Sequence, residues 1–142
     1  MGKQIFHLGP VGSGHRMKCI NNLITAVTLM ATAEGMIIGK RFGLDPEVMT
    51  DVLNASTGMS WISQTHLKQR IINRTFDDAF RLSLMAKDVG IAMNLASEKK
   101  LPVPVSALAH QLWRAAEIST EPDSSISEVV RWMEHLANVE IS

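Results

Sequence analysis

An all-α bundle built around one long central helix is the fold this sequence predicts, on three observations. First, Cys19 to Gly39 is a 21-residue run with a single charge, Glu34, about six turns of mostly apolar helix. Second, alanine, leucine, isoleucine and methionine abound, which favours helix, and only Lys3–Leu8, "KQIFHL", looks like a strand. Third, glycine, proline and capping residues recur between the apolar segments. At 142 residues the chain suffices for one domain with a real core.

The elements follow in order. The long helix is expected to start between Ser13 and His15 and to end near Arg41, at "RFGLDP". There Gly43 supplies the stop, Asp45 an N-cap, and Pro46 the first position of a second helix reaching about Ala55. "NASTG" reads as a turn. A third helix runs from Trp61 to about Ile72. "NRTFDDAF" leads into a fourth, from about Leu82 to Lys100, with Asp77 and Asp78 placed to cap its start. "LPVP" breaks the chain, because proline removes a donor and restricts its predecessor. Two more helices follow, from Pro104 to about Ile118 and from Ile126 to about Ala137. Ser125-x-x-Glu128 has capping-box spacing for the last. A lone strand cannot form a sheet, so Lys3–Leu8 reads as the remnant of a sheet outside this chain. The boundaries are then 1–12 for that remnant strand and an interdomain turn, and 13–142 for the helical domain.

Composition excludes several classes. Fourteen basic and fourteen acidic residues cancel, which argues against nucleic acid or an anionic membrane surface as partner. The long apolar run has the length of a membrane span and contains Gly35-x-x-x-Gly39, a close-approach pattern. Asn21, Asn22, Thr25, Thr28, Thr32 and Glu34 load it with polar groups, which favours a buried central helix over a span. A single cysteine, Cys19, leaves no internal disulfide and suits the cytoplasm; within an apolar helix it reads as an inert core thiol. The five histidines lack ligand spacing, so no metal site is expected. Trp61, Trp113 and Trp132 read as core or interface residues.

The glycine-rich stretch "GPVGSGHRMKCINN", Gly9 to Asn22, suggests a phosphate cradle but fits neither common form. A P-loop needs lysine where His15 stands, and Gly9, Gly12 and Gly14 give G-x-x-G-x-G rather than G-x-G-x-x-G. What remains is a glycine turn leading into a helix. One turn further, Lys18 and Asn22 stand four residues apart on one helix face, with Asn21 beside them. Two readings stand. Lys18 reaches solvent at the helix end while the amides find neighbours, or it is a proton-transfer lysine oriented by an amide that also binds a substrate hydroxyl. A second constellation is "FRLSLMAKDVGIAMNLA". Phe80, Leu84, Ile91 and Leu95 form an apolar stripe, and Lys87 and Asp88 border it. That pair either points to water or looks into a cleft.

Taken together, "GPVGSGHRMKCINN" and "FRLSLMAKDVGIAMNLA", followed by "LPVPVSALAHQLWRAA", resemble the carboxy-terminal helical domain of the β-hydroxyacid dehydrogenase family. That family includes the 3-hydroxyisobutyrate dehydrogenases, and its helical domain is of the 6-phosphogluconate-dehydrogenase carboxy-terminal kind. The resemblance implies oxidation of a small 3-hydroxy acid to its semialdehyde, or the reverse, with NAD or NADP as cofactor of the full-length enzyme. It implies Lys18 as the catalytic proton-transfer residue, and Asn22, Asn21 and Phe80 as substrate-binding residues. Lys87 and Asp88 would lie at the cofactor, Asp88 steadying that face of the cleft. It further implies a small hydroxy-acid substrate, association as a homodimer or higher homo-oligomer, and an amino-terminal Rossmann domain missing here. Without that domain the isolated chain is expected to be inactive and to bind no NAD(P). The rival reading is a non-catalytic helical oligomerisation module derived from the same fold.

Overall fold

A computed structural model describes residues 6–142. Among the described residues there is no strand, only an isolated antiparallel bridge between Arg81 and Ser125. Of the expected Lys3–Leu8 strand, residues 3–5 lie outside the described residues, and Phe6 to Leu8 adopt no regular structure. The helices are α1 (Ser13–Arg41), α2 (Pro46–Asn54), α3 (Trp61–Thr65), α4 (Leu82–Glu98), α5 (Pro104–Ser119) and α6 (Glu128–Ala137).

α1 is the axle of the bundle. It contacts each of the other five helices and buries Cys19, Ala26, Leu29, Met30, Ala33 and Met36 among them, positions that recur on one face of a helix. Glu34, the charge in its apolar stretch, points outward. By length and composition alone α1 could cross a membrane; its place at the bundle's centre is that of a core helix. Gly9 and Gly12 precede it at φ +101° and +92°, left-handed values that only glycine adopts without strain. At its far end the Gly43 amide donates to Lys40 O, and the Leu44 amide to Gly39 O. With Gly43 at φ +83°, this is a Schellman stop. Asp45 then accepts from the amides of Glu47 and Val48, and Pro46 opens α2, as its sequence predicts. Trp113 is fully buried against α1 and donates its indole N–H to Ala26 O at 3.4 Å.

Three local expectations are corrected. The helix from Trp61 to Ile72 is broken: α3 stops at Thr65 and a π-helical turn covers Leu67–Ile72. The break falls at His66, whose carbonyl accepts from both the Arg70 and Ile71 amides. Ser60 and Ser63 form the capping box that starts α3. The Ser125–Glu128 capping box does not form. Ser127 is the N-cap of α6 without a side-chain cap of its own, and Ser125 Oγ instead donates to Phe76 O at 2.7 Å. Finally, Asp77 and Asp78 do not cap α4. Asp77 pairs with Arg70 and Thr75, while Asp78 accepts from the Ser127 amide at 3.2 Å, so its charge serves α6.

Candidate active site

The polar end of α1 meets the middle of α4. Asp88 is 4% exposed, and its Oδ2 accepts from Asn22 Nδ2 at 2.6 Å and pairs with Lys18 Nζ at 3.1 Å. Asn21 Nδ2 donates to Asn22 Oδ1 at 3.5 Å, extending the chain of contacts. Residues 66 and 70 positions apart in sequence thus converge on one oxygen. The i, i+4 spacing of Lys18 and Asn22 lets both reach it from one face of α1. Lys18 remains 57% exposed, so its ammonium is held at the root by a buried carboxylate while staying open to a ligand. Lys87 is exposed beside Asp88, whereas Asp88 lies on the buried face of α4 with Met85 and Val89, so the two do not share one edge as their spacing suggests.

Next to this cluster lies an open cleft of about 550 Å³ lined by Asn21, Asn22, Thr25, Trp61, Phe80 and Met85, with Ile126 closing it. Asn21, Asn22 and Phe80 therefore face one space, and the Lys18–Asp88 pair abuts it through Asn22. Trp61 escapes the core reading: it is 59% exposed and forms a wall of the cleft. Trp113 is core and Trp132 packs partly buried against it. Thr25, Met85 and Ile126 are further lining residues that the two sequence constellations do not single out. Thr25 is one helical turn from Asn21 and Asn22, a signal the spacing did carry; Ile126 comes from the opposite end of the chain. Cys19, fully buried, adjoins the cluster. Burial and then the nearby Asp88 charge push its thiol up, away from the thiolate a nucleophile needs. Among the described residues no group of metal-ligating side chains exists.

A wider concavity, about 720 Å³, lies between α1 and α2 and away from Lys18. Its lining is mostly apolar and includes Thr28, Ala31, Gly35, Val48 and Val52. The Gly35/Gly39 pattern divides here. A Cβ at Gly39 would collide with the end of Met49, so this glycine lets α2 sit close, whereas a Cβ at Gly35 would meet open space.

Comparison with known proteins identifies the family. The family profile for the NAD-binding domain of NADP-dependent 3-hydroxyisobutyrate dehydrogenase matches residues 12–133. The chain is 29% identical over its whole length to 2-(hydroxymethyl)glutarate dehydrogenase of Eubacterium barkeri, covering 47% of that protein. It is 36% identical to the mitochondrial 3-hydroxyisobutyrate dehydrogenase of Rattus norvegicus, over 80% of this chain and 36% of that one. The Mycobacterium tuberculosis 3-hydroxyisobutyrate dehydrogenase structure with L-serine superposes with a TM-score of 0.83 at 26% identity, over 92% of this chain and 46% of that one. The chain spans less than half the length of these relatives. A match of this extent, on an all-α fold that superposes this closely, places the chain in the 3-hydroxyisobutyrate dehydrogenase family of β-hydroxyacid dehydrogenases.

Proposed function

We propose that this chain is the helical half of an NAD(P)-dependent 3-hydroxyacid dehydrogenase and that Lys18 is its proton-transfer residue. The observation that carries the reading is the meeting of Lys18, Asn22 and Asp88 at the edge of a cleft. When bound, the nicotinamide supplies or takes up the hydride. Neutral Lys18 accepts the substrate hydroxyl proton during oxidation, and its ammonium returns that proton in reduction. Asp88 fixes the side chain and balances the charge it gains. Asn22, with Asn21 behind it, donates to the substrate oxygens, while Phe80 and Trp61 shelter its carbon skeleton. Lys87 is an exposed cation beside Asp88 and suits a phosphate-bearing dinucleotide. The dinucleotide's main seat and the rest of the substrate pocket belong to an amino-terminal Rossmann domain that completes the cleft, with residues 1–12 as the connection, so the isolated chain is inactive. The setting is cytoplasmic.

The decisive experiment is Lys18→Ala in the complete two-domain enzyme. Loss of a positioned acid–base group lowers turnover by about 10²- to 10⁴-fold; unchanged turnover would refute the role.

Association as a homodimer or higher homo-oligomer is part of the same reading. It is supported by the apolar groove between α1 and α2, where Val48 and Val52 are each 59% exposed. Gly35→Leu adds bulk to the groove floor at a position where a Cβ meets open space. Sedimentation should show this variant folded but dissociated; a wild-type chain that sediments as a monomer would sink the proposal.

A further inference from the structure

The cleft has a polar side and an apolar side, and they are built differently. Asn21, Asn22 and Thr25 share one helix, α1. Trp61, Phe80 and Ile126 come from three separate stretches of chain, at the start of α3, ahead of α4 and on the approach to α6. Phe80 and Ile126 are joined directly, since the Ile126 amide donates to Phe80 O at 3.0 Å and the Leu82 amide to Ser124 O at 2.8 Å. Trp61 has no part in that pairing. What ties all three together is Asp78, two residues before Phe80, with its side chain 5% exposed and no place in the cleft lining itself.

Asp78 Oδ1 is met by His66 Nε2 at 2.9 Å and by Arg70 Nε at 3.0 Å. Oδ2 accepts from the Ser127 amide at 3.2 Å and from the Ser127 hydroxyl. Burial pushes this carboxyl up, but the bonds from His66 and Ser127 outweigh it and hold the group at about 2. It has no proton to give, so Nε2 is the donor whatever the charge of the ring. Four donors thus converge on two oxygens, which is the full acceptor capacity of a carboxylate. Two of the partners lead to the cleft. The His66 ring, 4% exposed, backs the Trp61 indole, with ring centres 4.5 Å apart and a tilt of 57°. The Thr65 hydroxyl bridges Trp61 O, at 2.7 Å, and the other ring nitrogen, at 2.8 Å. Ser127 directly follows Ile126, and on the other side of Ile126 the Ser125 hydroxyl donates to Phe76 O at 2.7 Å. Ile126 is therefore gripped on both flanks by the loop that carries Asp78.

We propose that Asp78 is a positioning residue of the substrate cleft: through His66 it sets the Trp61 indole, through Ser127 it sets Ile126, and through its own backbone it sets Phe80, so that the apolar wall stands at a fixed distance from Asn21, Asn22 and Thr25 on α1. The effect on substrate rests on the cleft being the substrate site; the coupling of the three wall residues through one carboxylate does not. That coupling is read in this chain by NMR, with the Trp61 indole signal identified from Trp61→Phe. Ser127→Ala should move the Trp61 signal, although Ser127 lies on the other side of Asp78, and an unmoved signal in the folded variant overturns the coupling. In the complete enzyme, Asp78→Asn turns one acceptor into a donor that faces donors. It should raise KM about three- to tenfold with turnover within about twofold of wild type, because a displaced wall weakens substrate and transition state alike. Ser127→Ala keeps the carboxylate, removes one donor and should raise KM about two- to threefold; it carries the test if Asp78→Asn does not fold. Ile141→Ala removes a fully buried side chain outside the cleft lining and should lower the melting temperature with KM unchanged. Unaltered KM in folded Ser127→Ala, or an equal rise in Ile141→Ala, overturns the positioning role. Failure of the Lys18→Ala test instead removes the catalytic reading of the cleft, and the Trp61 signal still decides whether Asp78 couples its walls.

Discussion

Asp78 and Asp88 are ten residues apart and equally hidden, their side chains 5% and 6% exposed, yet they serve different ends. Asp78 is saturated. One oxygen takes His66 and Arg70, the other takes the hydroxyl and the amide of Ser127, and His66 is as buried as its partner. The recorded partners of Asp88 are two, Asn22 and Lys18, both on one oxygen, and Lys18 opens to solvent. A buried carboxylate whose partners are themselves buried ties elements together. One whose cation stays exposed leaves that cation available to another molecule. Burial alone does not distinguish brace from site; the exposure of the counter-charge does.

The comparison can be broken most directly at Asp78. Asp78→Ala leaves the buried His66 ring and the Arg70 charge without their shared partner, and should destabilise the chain by about 3–5 kcal/mol in denaturant unfolding. A loss below about 1 kcal/mol would erase the contrast with Asp88. Acid supplies the next test. The folded Asp78 carboxyl sits at about 2 against an ordinary 3.8. Its folded value is depressed, so its contribution is fully present above pH 3.8 and disappears as pH falls through about 2. That contribution is about 2 kcal/mol, and urea midpoints measured across this window should lose it in the Asp78→Ala variant. Asp88→Asn has the smallest structural effect. Lys18 stays solvated when its partner is neutralised, so stability should move by less than about 1 kcal/mol. Turnover of the complete enzyme should nevertheless fall. Equal stability losses at Asp78 and Asp88 would show that both are braces.

Legibility in the sequence followed the distance over which each interaction acts. Gly43, Asp45 and Pro46 announce the α1–α2 junction because stop, cap and first turn involve neighbours only. The 3.6-residue period likewise places Lys18 and Asn22 on one face. Ser125 misleads because the Phe76 carbonyl, 49 residues upstream, takes its hydroxyl hydrogen, and no local pattern records that competitor. Trp61 misleads for a similar reason: an indole reads as core until the cleft beside it is assembled from α1, α4 and the approach to α6. His66 carries no periodic signal, since its meaning depends on Thr65 and Asp78 together. The spacing put Lys87 and Asp88 at the edge of a Phe80–Leu84–Ile91–Leu95 stripe, but Leu84 is exposed and the buried face runs through Leu82, Met85, Val89 and Ala92, which takes Asp88 inside and leaves Lys87 outside.

The single uninterrupted span of α1 has a mechanical corollary. Lys18 and Gly35 are 17 residues apart on one helix, about 25 Å along its axis. The helix is thus a lever arm with the proposed proton donor at one tip and the apolar groove near the other. A tilt of about 2° about the groove would swing Lys18 through about 1 Å, an error that can slow an enzyme about a hundredfold. An occupant of that groove would act on Lys18 through α1 itself, against the hold that Asp88 keeps on it from α4.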